Sequence, residues 1–212
     1  MAVTTIETSG AADGRLYPGR AAVVSWIFFD WAAQPYFTLI TTFVFAPYFA
    51  AHVAPDAASG QALWGFATAA AGIVIALLSP VLGAIADATG RRKPWIAAFG
   101  AMLVIGSCLM WIGRPGAPDL IPPLLAAYVI ATIGVEFATV FNNAMMPTLV
   151  PPERIGRLSG TGWATGYVGG ILSLIIVLGF LAANPDTGRT LFGGTPLFGL
   201  DPVTHEGDRI SG

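Results

Sequence analysis

The stretch Gly83-Ala84-Ile85-Ala86-Asp87-Ala88-Thr89-Gly90-Arg91-Arg92-Lys93 separates two long apolar runs of the sequence. One run ends at Leu82 and the other begins at Pro94. A hydrocarbon core tolerates one acid and three adjacent cations only where the chain has left the bilayer. The stretch therefore predicts a tight hairpin between two membrane-crossing helices, and we refer to residues 83–93 as the basic hairpin.

The composition of the whole chain also indicates a membrane protein. Of its 212 residues, 55% are apolar and 10% are charged, and the mean hydropathy is +0.70. A soluble domain has about 25% charged residues. The net charge of −2, with basic residues only in short loops, argues against nucleic-acid binding. One cysteine and two separated histidines make neither a disulfide framework nor a metal centre, so we expect no cofactor and no metal.

The apolar runs predict five transmembrane helices and hence an all-α, polytopic membrane protein. Their approximate limits are 21–51, 63–86, 94–113, 120–146 and 158–183. Residues 1–20 are polar and lack the apolar core of a signal peptide, and 184–212 lack a run long enough to span. Basic residues concentrate before the first helix and after the second and fourth. The positive-inside rule therefore predicts a cytoplasmic tail at 1–20 and an extracytoplasmic loop at 184–212.

Asp30 is the first candidate binding residue. It lies about ten residues into the first helix, roughly 15 Å from its inner end at 1.5 Å per residue. Gln34, Thr38 and Thr41 follow on the same helical face. A carboxylate near the bilayer centre is costly unless it is neutral, paired or hydrated, so this polar stripe predicts a functional site. The alternative is that the helix starts later and Asp30 marks its entry, although residues 21–29 are apolar.

Glu136 is the second candidate, about ten residues from the inner end of the fourth helix, so the two acids should lie at similar depth. Thr132, Thr139 and Asn143 share its face. No Lys or Arg lies inside the predicted helices, so we expect the acids to hold protons or to bind a cationic group. The alternative for Glu136 is a structural hydrogen bond between helices. The predicted substrate and proton site comprises Asp30, Gln34, Thr38, Glu136 and Asn143.

The fifth helix carries a glycine stripe, which consists of Gly162, Gly166 and Gly170 at intervals of four residues. Small residues at this spacing let a second helix approach closely in a membrane. We therefore expect a helix-packing surface, with a hinge as the alternative.

The basic hairpin resembles the loop between the second and third helices of the major facilitator superfamily of transporters. The matching residues are Gly83, Asp87, Gly90, Arg91, Arg92 and Lys93. Ala88 departs from the pattern, since that family usually has a basic residue there. The resemblance implies secondary transport by alternating access, with the first and fourth helices lining a central cavity. It also implies that the hairpin latches two transporter halves together, beyond its plain role of holding the loop in the cytoplasm.

Two further stretches are similar to the vacuole effluxer-like family of autophagy-related permeases, whose fungal members export amino acids from the vacuole. One begins at Asp30-Trp31-Ala32 and includes residues 42–49, and the other covers 143–147 and 157–170. This resemblance implies a permease for a small solute, with amino acids suggested by the fungal members. We expect it in the cytoplasmic (inner) membrane of a bacterium.

Five helices are one fewer than the six of a major facilitator half. The chain resembles the front of such a protein, stopped before a sixth helix: a fragment, a truncated reading frame or a deliberately short chain. The expected partners are membrane lipid, a small-molecule substrate, protons, and a C-terminal half or a second copy. The alternative is a non-transporting membrane module that packs through the glycine stripe. The sequence has no nucleophile–base pair and no phosphate-binding loop, so we do not expect an enzyme.

Overall fold

A computed structural model describes residues 17–212, apart from the side chains at positions 87 and 89. These residues form a helical bundle with five helices long and apolar enough to cross a membrane, which confirms the predicted fold class. The spans are Arg20–Val53, Ala57–Ala86, Lys93–Ile112, Pro118–Asn143 and Pro152–Leu181. Most of the predicted cytoplasmic tail falls in 1–16 and lies outside the described residues.

The first span changes its helical winding along its length. It consists of the α-helix Arg20–Pro35, the π-helix Tyr36–Phe43, the α-helix Phe45–Tyr48 and the π-helix Phe49–Val53. Pro35 stands where the first α-helix ends, because proline lacks an N–H and clashes with the carbonyl four residues earlier. In the next turn the hydroxyls of Thr41 and Thr42 donate to the carbonyl of Phe37 at 2.6 and 2.8 Å. The half of this span after Pro35 therefore differs in helical winding from the half before it.

The second helix, Ala57–Thr89, begins before residue 63, where the apolar run predicted its start. Asp56 caps it: the backbone N–H of Ser59 donates to the carboxylate at 2.9 Å and the Ser59 hydroxyl donates at 2.5 Å. These bonds lower the pKa of Asp56. At the other end Gly90 adopts a φ of 62° and donates its N–H to the carbonyl of Ala86, which ends the helix in the basic hairpin.

The third and fourth spans pack closely along each other. Their parts are the α-helix Lys93–Leu109, the 3₁₀ turns Met110–Ile112 and Pro118–Leu120, and the α-helix Ile121–Asn143. A Cβ atom at Gly106 would lie 2.7 Å from the carbonyl oxygen of Ala127, and one at Gly134 would lie 2.6 Å from the backbone nitrogen of Leu103. Such distances leave no room for a side chain, so the contact of the two backbones requires both glycines.

The fifth span begins at Pro152, although the sequence predicted a break there and a helix from residue 158. Proline suits the first turn of a helix, because its missing N–H would have no intrahelical partner there. The short helix Met146–Leu149 precedes this span, the α-helix runs to Ile176, and the π-helix Val177–Leu181 completes it.

The fourth span lies at the centre of the bundle, with the second and third spans packed on it and the first span packed on the fifth. Most of the second span is exposed, and its large apolar side chains include Phe66 at 74% and Leu77 at 70% exposure. Lipid tails are as apolar as leucine, so a membrane covers such a face without cost.

Residues after the fifth span fold back onto the end of the bundle opposite the basic hairpin. Two short strands, Ala183–Asn184 and Arg189–Thr190, pair antiparallel, and the helix Glu206–Arg209 follows. The buried Arg209 side chain donates two hydrogen bonds to the carbonyl of Trp111, at 2.7 and 3.1 Å, and lies 4.2 Å from its ring centroid. The sequence predicted an unstructured loop here, because no apolar run marks these contacts.

The same segment brings together two histidines that are far apart in the sequence. The ring centroids of His52 and His205 are 4.0 Å apart, and Nδ1 of His205 lies 2.9 Å from a carboxylate oxygen of Asp208. The two rings pack against each other at an interplanar angle of 34°. Within residues 17–212 no group of three or more His, Cys, Asp or Glu side chains is arranged to hold a metal ion.

Replacing Asp56 with alanine should speed amide hydrogen exchange at residues 57–60, because the cap that accepts the Ser59 N–H is lost. In the wild-type chain the cap needs the ionised carboxylate. Since the pKa of Asp56 is lower in the fold, protection should be full above pH of about 4 and should fall as the pH drops through the folded pKa.

Asp56→Asn is the matched control, because asparagine caps helices as well as aspartate does. It should keep the protection of residues 57–60 and lose its dependence on pH. Mass-spectrometric exchange corrected for intrinsic rates measures both effects, and equal protection in Asp56→Ala and wild type would contradict the cap.

Candidate functional site

A cavity of 360 Å³ lies between the first, fourth and fifth spans, and we call it the acidic cavity. Its lining combines two carboxylates, two amides, two hydroxyls and three aromatic rings. The lining residues are Asp30, Ala33, Gln34, Phe37, Glu136, Thr139, Asn143, Trp163, Gly166 and Tyr167. The structure therefore brings four of the five predicted site residues to one cavity: Asp30, Gln34, Glu136 and Asn143.

Two side chains of the first span, Trp26 and Tyr36, hydrogen-bond to the fourth span, one on each side of the acids, and the Tyr36 hydroxyl lies within reach of both Thr132 and the carbonyl of Tyr128. The indole N–H of Trp26 donates to the carbonyl of Asn142 at 2.7 Å. Further out, the hydroxyl oxygens of Tyr36 and Thr132 lie 2.7 Å apart. Thr132 was predicted to share the face of Glu136, and it serves here as an anchor between helices rather than as part of the cavity lining.

These two anchors set the relative depth of the acids. Each helix has ten residues between its anchors and the helices run antiparallel, so position 138 of the fourth span lies level with Asp30. Glu136 is two residues from that level, which is about 3 Å along the axis at 1.5 Å per residue. The two carboxyl groups therefore stand at nearly the same depth in the bundle.

No basic side chain lines the acidic cavity among the described residues. Asp30 and Glu136 are partly buried, and neither has an ion-pair partner within residues 17–212. The basic residues of the spans lie in the first two turns of their helices: Arg20, Lys93, Arg154 and Arg157. When these acids are ionised, only a proton or a cation can neutralise their charge, whereas water can only solvate it.

The glycine stripe of the fifth span lies against the first span, directly behind Asp30. A Cβ atom at Gly162 would lie 2.6 Å from Oδ2 of Asp30, and one at Gly166 would lie 3.2 Å from its carbonyl oxygen. Gly169, beside the stripe, would place a Cβ atom 2.9 Å from the carbonyl oxygen of Trp31. These glycines let the first span approach closely enough for Asp30 to reach the cavity from the helix interface.

Thr38 and Thr41 do not line the cavity, although the sequence placed them on the face of Asp30. Thr38 packs against Gly170, and the hydroxyl of Thr41 donates to the backbone of its own helix. Thr38 keeps the face of Gln34, because a Cβ atom at Gly170 would meet both side chains, but the fifth span covers that face there and the cavity lining of the first span ends at Phe37.

The aromatic part of the cavity was not predicted as a site. Trp163 and Tyr167 are 56% and 53% exposed, and their ring centroids are 5.9 Å apart. Phe37 of the first span completes this part of the lining. The sequence carries a signal for it, because Trp163 and Tyr167 are four residues apart with Gly166 on the same helix face.

The basic hairpin forms a separate surface at one end of the bundle. Gly90 and the three cations after it line a hollow together with Met145 and Thr148 at the end of the fourth span. A Cβ atom at Gly83 would meet nothing within 4 Å. The side chain of Asp87 lies outside the described part, so the latch role of this hairpin stays a prediction.

A family model described as the Major Facilitator Superfamily matches residues 14–197. The chain belongs to the major facilitator superfamily. It is 32% identical over 167 residues to an uncharacterized MFS-type transporter, YxiO, of Bacillus subtilis (strain 168). That match covers 77% of this chain and 38% of the Bacillus protein, so the chain spans well under half the length of this relative. No solved structure matches the chain significantly. Family membership and the five apolar spans make this a membrane protein.

Gly169→Ala should lower the thermal stability of the protein in detergent, because the new methyl group would meet the backbone of Trp31, which cannot rotate away. Overpacking of this kind costs about 1–3 kcal/mol. Gly160→Ala is the matched control on the same helix, since a Cβ atom there meets nothing within 4 Å. The control should melt at or above the wild-type temperature, and equal melting of both variants would argue against close packing at Gly169.

Proposed function

We propose that this chain is the N-terminal part of a secondary active transporter that moves a small solute by alternating access and couples it to protons. The observation that carries the proposal is the pair of carboxyl groups at nearly equal depth in one cavity without a basic partner among residues 17–212. Low-dielectric surroundings disfavour an unpaired carboxylate, so each acid gains from a proton or a cationic ligand.

Coupling would follow from the exchange of protons at these two sites. When the cavity faces one side, Asp30 or Glu136 takes up a proton, and when it faces the other side the proton leaves. Gln34 and Asn143 line the same cavity and offer amide groups that can hydrogen-bond a polar solute. Asp30 lies at the contact between the first and fifth spans, so a shift of either helix would move its carboxylate.

A complete transporter needs more helices than residues 17–212 provide, since the chain spans 38% of the length of its Bacillus relative. We infer that further helices, or a second copy of the chain, close the side of the cavity at which Trp163 and Tyr167 are exposed. The basic hairpin would then latch the two parts together at the inner surface.

The distribution of basic residues favours a bacterial cytoplasmic membrane with the N-terminus inside. Arg20, Arg154 and Arg157 lie at the same end of the bundle as the basic hairpin. Within the superfamily, the residues around Asp30 and Gly166 favour the vacuole effluxer-like family. Amino acids are the first solutes to test on that ground.

The test uses the full-length protein in liposomes with a pH indicator trapped inside. Addition of an amino-acid mixture should drive proton movement, and Asp30→Asn and Glu136→Gln should each reduce it to the level of protein-free vesicles. Glu153→Gln is the control, because Glu153 is an exposed acid in the first turn of the fifth span. It should behave as wild type.

Solute flux that is equally proton-dependent in wild type, Asp30→Asn and Glu136→Gln would contradict the assignment of the acids. A protein that moves neither solute nor protons would instead favour a non-transporting membrane module.

A further inference from the structure

The acidic cavity has two kinds of lining that attract the same ligand. Asp30 and Glu136 provide negative charge, and Phe37, Trp163 and Tyr167 provide aromatic faces. We propose that the solute recognised here is an organic cation, namely a protonated amine joined to an apolar body. This inference deepens the proposed transport function and rests on it, because the bound cation is a transported solute only if the protein is a transporter. Binding of the cation can nevertheless be measured without transport.

The charges of the cavity select against anions. Its lining contains no Lys, Arg or His among the described residues, so a carboxylate or phosphate of a ligand would meet two acids and no cation. An ammonium group would instead balance charge that has no ion-pair partner within residues 17–212. Electrostatic interaction with the two acids therefore favours binding of a cation and disfavours binding of an anion.

The aromatic rings are free to receive a cation. A cation is attracted to the face of an aromatic ring within about 6 Å of its centroid, most strongly for tryptophan. Arg209 already covers Trp111 at the outer end of the bundle, at 4.2 Å. Trp163 and Tyr167, by contrast, are about half exposed, and no described cation lies over either ring.

The remaining polar groups also suit an amine, since an ammonium has three hydrogen-bond donors and no acceptor. The oxygens of Gln34 and Asn143 can accept from it. The buried hydroxyl oxygen of Thr139 has no hydrogen-bond partner among residues 17–212 and can accept as well. A cavity of 360 Å³ matches the usual range of small-molecule sites, from about 300 to 1,000 Å³.

The inference separates amines from amino acids. A zwitterionic amino acid also brings a carboxylate, for which the described lining has no basic partner. An amine of the same skeleton should therefore bind this cavity more tightly than the amino acid, and the amino acid more tightly than the corresponding acid.

Three probes with one aromatic ring test this order: phenethylamine, phenylalanine and 3-phenylpropanoate. Their binding to the full-length protein in lipid nanodiscs is measured by calorimetry at neutral pH, where the amine is charged. We expect phenethylamine to bind at least tenfold more tightly than 3-phenylpropanoate. Trp163→Leu and Tyr167→Leu should each weaken its binding about fivefold, as expected for loss of a cation–π contact.

Phe66→Leu is the control for loss of an aromatic ring, because Phe66 is 74% exposed on the second span and does not line the cavity. It should bind phenethylamine as wild type does. Trp163→Phe should recover part of the affinity that Trp163→Leu loses, since phenylalanine keeps an aromatic face. Binding is compared only among variants whose melting temperature and size-exclusion profile match those of wild type, which shows that they are folded.

The outcomes separate this inference from the proposed function. Tight amine binding without flux supports the cation site and contradicts transport. Flux of a solute together with preferred binding of 3-phenylpropanoate supports transport and overturns the cation site. The cation site is also overturned if none of the probes binds, or if Trp163→Leu and Tyr167→Leu bind phenethylamine as tightly as wild type.

Discussion

A carboxyl group inside a hydrocarbon layer must find a proton, a cation or water, and this bundle places two such groups at one depth. Their positions follow from neutral contacts, because the indole of Trp26 and the hydroxyl of Tyr36 attach the first span to the fourth without using charge. The basic side chains of the spans stay near the helix ends, where water reaches them. Asp30 and Glu136 are therefore left unneutralised by the described residues and available to a ligand.

Glycine makes this arrangement sterically possible. Gly162 and Gly166 bring the first span so near to the fifth that Asp30 emerges from their contact into the cavity. Gly106 and Gly134 do the same for the third and fourth spans, away from the cavity, and their contact supports the helix that carries Glu136. Helices without a hydrophobic driving force between them depend on such close packing. The polar site thus rests on apolar contacts between backbones.

Much of the bundle could be predicted from the sequence because the bilayer imposes simple rules on it. Length and hydropathy identified the five spans, and helical spacings of four and seven residues placed Gln34 with Asp30 and Asn143 with Glu136. The same spacing placed Thr38 on the face of Gln34, but the fifth span covers that face at Gly170, and spacing alone does not show where a cavity ends.

Other features depend on contacts that leave little trace in a single sequence. The second helix starts at Ala57 because Asp56 caps it. In the sequence alone, a polar capping residue looks the same as a polar residue of a loop. Trp163 and Tyr167 are apolar enough to pass for lipid-facing residues until the cavity beside them is seen. The contact of His52 with His205 joins segments that only the folded bundle brings together.

The π-helical turns Tyr36–Phe43 separate two α-helical parts of the first span. A π turn closes its hydrogen bonds one residue later than an α turn, and one residue corresponds to about 100° of rotation. Conversion of Tyr36–Phe43 to regular α-helix would therefore swing Tyr48 and the rest of the outer stretch around the axis. Asp30 and Gln34 precede Pro35 in the α-helical part, so the direction of their side chains would not change. Such a swivel would let the outer mouth rearrange while the charged interior stays still.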